Sequence, residues 1–157
     1  MGKVMPGRYS AEMDGSFVVF IIGMRINKLW AIHKWLPVFN AMGPMMSELY
    51  RNREHGFMDA SYYISWRGVT IVQYWRSFEH LEQYARTDKL HLKAWQDFHK
   101  KVGVSDTVGV YHETYLVPEG QYECVYNNMP IYGLAKAGKH VPVTGRRETA
   151  RKRLVKS

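Results

Sequence analysis

The chain has 157 residues, the length of one domain, and its 46% hydrophobic and 14% aromatic content is ample for a packed core. It carries 22 Lys and Arg against 14 Asp and Glu, a net +8, yet residues 139–157 hold seven basic side chains and only Glu148, while residues 1–138 hold 15 basic and 13 acidic ones. A basic excess confined to a terminal segment argues against a nucleic-acid-binding domain, whose excess lies as a patch within the fold.

The lone cysteine, Cys124, cannot form an intrachain disulfide and has no Cys or His neighbour at a metal-ligand spacing, so it reads as a small buried hydrophobe. The longest apolar run, residues 17–24, falls short of the ~20 residues a membrane helix needs. The N-terminus shows no signal-peptide pattern, and Pro6 stands where a myristoylation motif has Ser or Thr. These features predict a soluble, cytoplasmic protein with no membrane span and no nucleic-acid partner.

Residues 1–15 are a polar lead with Pro6, Gly7, Asp14 and Gly15. Residues 17–26 (FVVFIIGMRI) form a β-branched, nearly continuous apolar run, which predicts a central strand buried on both faces. From Leu29 the period becomes helical through Ile32, Leu36, Phe39, Met46 and Leu49. Pro37 and Pro44 each remove a backbone donor, which predicts a broken helix or two short ones ending near Arg53. Two Tyr/Ile/Val-rich runs, 57–66 and 69–75, joined at Arg67-Gly68, predict a hairpin.

Ser77 is placed to cap a short helix with Glu79 in its first turn. Asp88 is placed to cap a second one, along which Leu90, Ala94, Phe98 and Val102 recur every fourth residue until Gly103. Residues 107–117 are the fourth strand. The order is an α+β, ferredoxin-like βαββαβ arrangement over residues 16–120. One sheet with helices on one side leaves its other face uncovered, and a homodimer closing two sheets into a dimeric α/β barrel would bury it. Residues 121–138 are too aromatic for a disordered tail and predict an ordered extension. Residues 139–157 read as a solvated basic tail with a short helix near 146–154.

Seven histidines invite a metal reading, but His91 and His99 are eight residues apart on a helix, roughly 12 Å along the axis, and cannot share one ion. His112-Glu113 is not the start of a zinc-binding H-E-x-x-H helix, because Leu116 stands at the second histidine's position. Strand alternation puts His112 with Val110 and Thr114, and Glu113 with Tyr111 and Tyr115 on the opposite face. Two readings stand for His112, a hydrogen-bonded structural histidine or a group facing a cavity. His91, one turn before Trp95, reads as a partly exposed helix histidine. Arg25 and Asn27 either bind substrate or mark where the first strand leaves the core. The aromatic hairpin (Tyr62, Tyr63, Trp66, Tyr74, Trp75) reads as core and dimer interface more than as a cofactor box.

The strings FVVFIIGMRIN (17–27), WLPVF (35–39), QYWRSFEHL (73–81), HLKAW (91–95), GVYHETY (109–115) and YECVYNNMPIYGL (122–134) resemble the monooxygenase-like family of fungal and bacterial biosynthetic clusters, the fumagillin cluster among them. The stretch from His91 through His112-Glu113 to Asn128-Met129-Pro130 is also similar to the C-terminal half of the haem-containing aldoxime dehydratases. That second resemblance implies His91 as the axial ligand of haem b and His112 as the distal acid/base group, although the chain is half the length of those enzymes.

The resulting expectation is a homodimeric oxygenase-like enzyme for a small organic substrate, with His91 holding haem iron, His112 in acid/base work, and Glu113, Arg25 and Asn27 orienting substrate. The alternatives are an aldoxime-dehydratase-like haem lyase, a cofactor-free oxygenase, and a non-catalytic dimer that stores a small ligand.

Overall fold

The computed structural model describes residues 2–154. In chain order the elements are β1 (Met5–Glu12), β2 (Phe17–Ile26), α1 (Ile32–Arg51), β3 (Phe57–Ser65), β4 (Gly68–Trp75), α2 (Phe78–Thr87), α3 (Lys89–Lys101), β5 (Val108–Val117), β6 (Tyr126–Met129), α4 (Leu134–Ala137), β7 (Lys139–Pro142) and α5 (Ala150–Leu154). The four longest strands form an antiparallel sheet in the order β3-β4-β2-β5, which is the ferredoxin-like arrangement expected.

β2 lies between β4 and β5, as its apolar run predicts, pairing residue for residue with β5 from Phe17↔Val117 to Ile26↔Val108. Its even-numbered side chains, with Val69, Ile71 and Trp75 of β4, face α1–α3 and make the main core. Trp75 is fully buried, with Phe57 and Tyr84 edge-on or tilted against its ring. The hairpin turn is Trp66–Arg67, and β4 begins at Gly68. A Cβ at position 68 would overlap the Met24 carbonyl oxygen of the neighbouring strand, so only glycine lets the two backbones approach there.

The broken helix expected at the two prolines is not found. α1 runs unbroken for 20 residues with Pro37 and Pro44 inside it. Each proline forfeits one intrahelical bond, but Trp35, Val38, Met42, Met46 and Leu49 pack along one side of the helix onto the sheet. That burial, about 1.5–3 kcal/mol per large side chain, outweighs the two lost bonds.

The lead and the basic tail also depart from expectation. Residues 5–12 form β1, the centre of a second sheet in the order β6-β1-β7. The segment expected as a solvated tail supplies β7, which pairs with β1 from Tyr9↔Pro142 to Glu12↔Lys139. Arg153 donates to Glu123 through Nε at 2.6 Å and has a side chain only 9% exposed. Arg147 pairs with Glu12 and Lys139 with Asp14. A sequence profile of charge cannot show that the acidic partners of a basic tail come from the other end of the chain. Lys156 lies outside the described residues.

The extension at 121–138 is ordered. Leu134, Ala135, Tyr122 and Tyr126 pack with Ala11, Met13 and Phe17 into a second core against one end of the large sheet's outer face. Lys136 reaches the buried Asp59 at 3.2 Å. Cys124 sits in this core, accepting from the Ala11 N–H at 3.3 Å. The rest of the outer face, with Tyr63, Tyr111 and Tyr115, stays exposed.

Candidate active site

Between the large sheet and the three helices lies a cavity of about 650 Å³, within the range of small-molecule sites. Its floor is the sheet, with Phe20, Ile22 and Met24 of β2, Ile71 and Gln73 of β4, and Val110, His112 and Thr114 of β5. Its roof comes from Val38, Met42, Met45 and Met46 of α1, Leu81 and Ala85 of α2, and His91, Trp95 and Phe98 of α3. Methionines and aromatic rings line most of it, adaptable apolar surfaces suited to an apolar guest.

His91 enters from the roof. Asp88 caps α3, accepting from the His91 backbone N–H at 2.6 Å, as its position before the helix predicts. The His91 Nδ1 lies 3.0 Å from the Ala85 carbonyl oxygen, one of the carbonyls left without a helical partner at the end of α2. A carbonyl only accepts, so Nδ1 is the donor in this contact, and in the neutral ring the lone pair is at Nε2. Nε2 has no hydrogen-bond partner among the described residues. Tyr84 tilts its ring at 55° to the imidazole, 5.8 Å away.

Behind His91 lies a small acidic nest. Burial pushes the Glu48 carboxyl above the usual carboxylate range, and the neighbouring Asp88 charge adds to the effect. Burial likewise raises the Tyr84 phenol. Both the Glu48 Oε2 and the Tyr84 hydroxyl are buried without a partner among the described residues.

His112 enters from the floor. It stands opposite Ile22 in the sheet, shares its face with Val110 and Thr114 as strand alternation requires, and tilts its ring 5.7 Å from Phe20. It has no hydrogen bond among the described residues, so the reading as a hydrogen-bonded structural histidine has no partner to support it.

The structure thus brings His91 and His112 to one cavity, from opposite walls, and leaves the other three candidates outside it. Arg25 donates to the Asn27 side chain at 2.5 Å at the end of β2. Glu113 points to the outer face, where the Tyr115 hydroxyl donates to it at 2.8 Å. Gln73 was missed. Its signal is legible, since it is the one polar residue on the inward parity Val69, Ile71, Gln73, Trp75.

Among the described residues no group of three or more His, Cys, Asp or Glu is arranged to hold a metal ion. A porphyrin iron needs only one axial side chain from the protein, and the fixed tautomer and free Nε2 of His91 fit that need. No helix among the described residues is long and apolar enough to cross a membrane.

Aldoxime dehydratase is similar in structure, with a TM-score of 0.67 at 18% identity over 88% of this chain and 42% of that one. SnoaB, a cofactor-independent oxygenase from Streptomyces nogalater, gives a TM-score of 0.45 at 10% identity, over 64% of this chain and 91% of that one. In sequence, Monooxygenase af470 of Aspergillus fumigatus is 25% identical over 152 residues, covering 82% of this chain and 53% of that protein. The chain spans about half the length of that curated relative. Residues 17–134, which include the whole floor and roof of the cavity, match the family described as Monooxygenase af470-like, and the chain belongs to that family.

Proposed function

We propose that this protein is a monooxygenase-like oxidoreductase that takes a small apolar organic substrate into the cavity between sheet and helices, with His91 holding haem b and His112 moving the proton. The observation that carries this reading is the convergence on one apolar cavity of about 650 Å³ of two imidazoles, His91 with a partner only at Nδ1 and His112 with no hydrogen bond among the described residues.

His91 contributes a neutral imidazole whose Nε2 lone pair is presented by the Nδ1–Ala85 contact, the usual way a second contact orients a histidine ligand. Bound haem would supply the one-electron and dioxygen chemistry that side chains lack. His112 holds or accepts a proton at an atom of the substrate lying on the floor, the general acid/base role open to an imidazole. The methionines and rings of α1 and α3 exclude water and set the shape of the guest.

The open part of the outer sheet face, with the exposed Tyr63, Tyr111 and Tyr115, supports a homodimer in which the two sheets close a barrel. Arg25, Asn27 and Glu113 then work at the face between the two copies.

The visible spectrum of the purified protein after haem addition tests the cofactor. A Soret band that is lost or shifted in His91→Ala is expected; no band, or one unchanged in that variant, overturns the axial role. Sedimentation velocity tests the dimer, and a monomer at micromolar concentration overturns it.

A further inference from the structure

Gln73 is 6% exposed and lies on the cavity floor. Its Oε1 accepts from the Trp75 indole N–H at 2.9 Å. An indole nitrogen only donates, so the orientation of the amide is settled: oxygen toward Trp75, NH₂ away from it. The Nε2 lies 3.4 Å from the Met46 thioether sulfur, a weak acceptor. The second N–H has no acceptor among the described residues.

A buried donor left this way is unfavourable unless something completes it. Trp75 is itself fully buried, so Gln73 cannot turn away without orphaning the indole N–H. The amide is a fixed donor in an apolar room.

Its place relative to His112 follows from the register. Phe20 stands opposite both Gln73 and Thr114, and Ile22 stands opposite both Ile71 and His112. Gln73 and Thr114 are therefore two strand spacings apart, about 10 Å, with His112 one step along the sheet from Thr114. An apolar body lying across Phe20 and Ile22 presents one end to Gln73 and the other to His112.

We propose that Gln73 is a specificity-determining residue that donates a hydrogen bond to an acceptor oxygen, ketone or phenolate, on an otherwise apolar ring substrate, fixing which end lies over His112. This rests on the cavity being the substrate site, as proposed above.

The test uses a matched pair of probes, 1-tetralone, which has the acceptor oxygen, and tetralin, which lacks it. Binding of each to the purified protein is measured by calorimetry, and the Gln73 side-chain amide is followed by ¹⁵N NMR. Wild type is expected to bind tetralone about tenfold or more tightly than tetralin, the worth of one buried hydrogen bond, and the Gln73 NH₂ signal is expected to shift with tetralone only. In Gln73→Met the preference is expected to vanish while tetralin binding is kept. Equal binding of the two probes by wild type, or a preference retained in Gln73→Met, overturns the anchor and leaves the cavity standing. Binding of neither probe overturns the cavity as substrate site and the anchor with it. The wild-type comparison and its NMR signature stand even if the variant fails to fold.

Discussion

Each of the two histidines on the cavity draws its character from what lies behind it. His91 is held at two points, by the cap at Asp88 and by the end carbonyl of α2, so its ring has one proton position and one direction. Glu48 bears on the same corner. A carboxyl whose folded value lies above its unfolded one binds its proton more tightly when folded, so ionisation opposes folding. Below about pH 4.5 both states are protonated and nothing is lost; stability falls as pH rises above that value. Glu48→Gln imitates the protonated form and can still donate to Asp88. Thermal melts across pH should show this variant more stable than wild type at pH 7, with the difference closing toward pH 4. A wild-type-like melt at pH 7 would contradict the burial cause.

At the scale of elements, caps and prolines do different work. Asp88→Ala removes the cap of α3, about 1 kcal/mol, and also frees the backbone that aims His91. Its melting temperature should fall and, under the axial role proposed for His91, haem affinity with it, while Asp88→Asn, which keeps the cap, should restore both. A melt lowered without any change in haem titration would separate the cap from the ligand. In α1 the exposed Pro44 breaks no helix, so its replacement needs no rearrangement. Pro44→Ala regains a backbone bond and loses the rigidity proline gives the unfolded chain. The net expectation is a gain of about 1–2 kcal/mol in chemical denaturation; a loss would show that the rigidity proline gives the unfolded chain outweighs the regained bond.

Across the whole molecule, the two ends of the chain are tied to one another and to the extension. β1 is paired on both sides, by β6 and β7, and the Arg153–Glu123 pair at 2.5 Å clasps α5 to the extension. Removing Arg153 leaves the part-buried Glu123 carboxylate without its partner, so Arg153→Ala should cost roughly 1–2 kcal/mol in denaturant unfolding. An unchanged midpoint would mean that the clasp is solvent-screened. The cavity lies on the other side of the large sheet from this second core, so the same variant should leave probe binding to the cavity unaltered.

The four strands of the large sheet and the helices α2 and α3 were legible because local pattern and tertiary use agree there. A β-branched run became the central strand, and Ser77 and Asp88 cap the helices they precede. Strand alternation also separated His112 from Glu113 correctly. The continuity of α1 was not legible, since the penalty of a proline is local and the burial that overrides it is contributed by the sheet. Nor was the second sheet, whose strands are short and whose partners lie more than a hundred residues apart in sequence. The sequence by itself determined the βαββαβ order and the opposite faces of His112 and Glu113, and its resemblance to the haem-containing aldoxime dehydratases singled out His91 and His112. Only the tertiary structure decided that these two meet at one cavity, that Gln73 joins them with its amide fixed by Trp75, and that the basic segment is paired with Glu12, Asp14 and Glu123. Periodicity records which side of an element is buried; what it is buried against depends on contacts between distant segments.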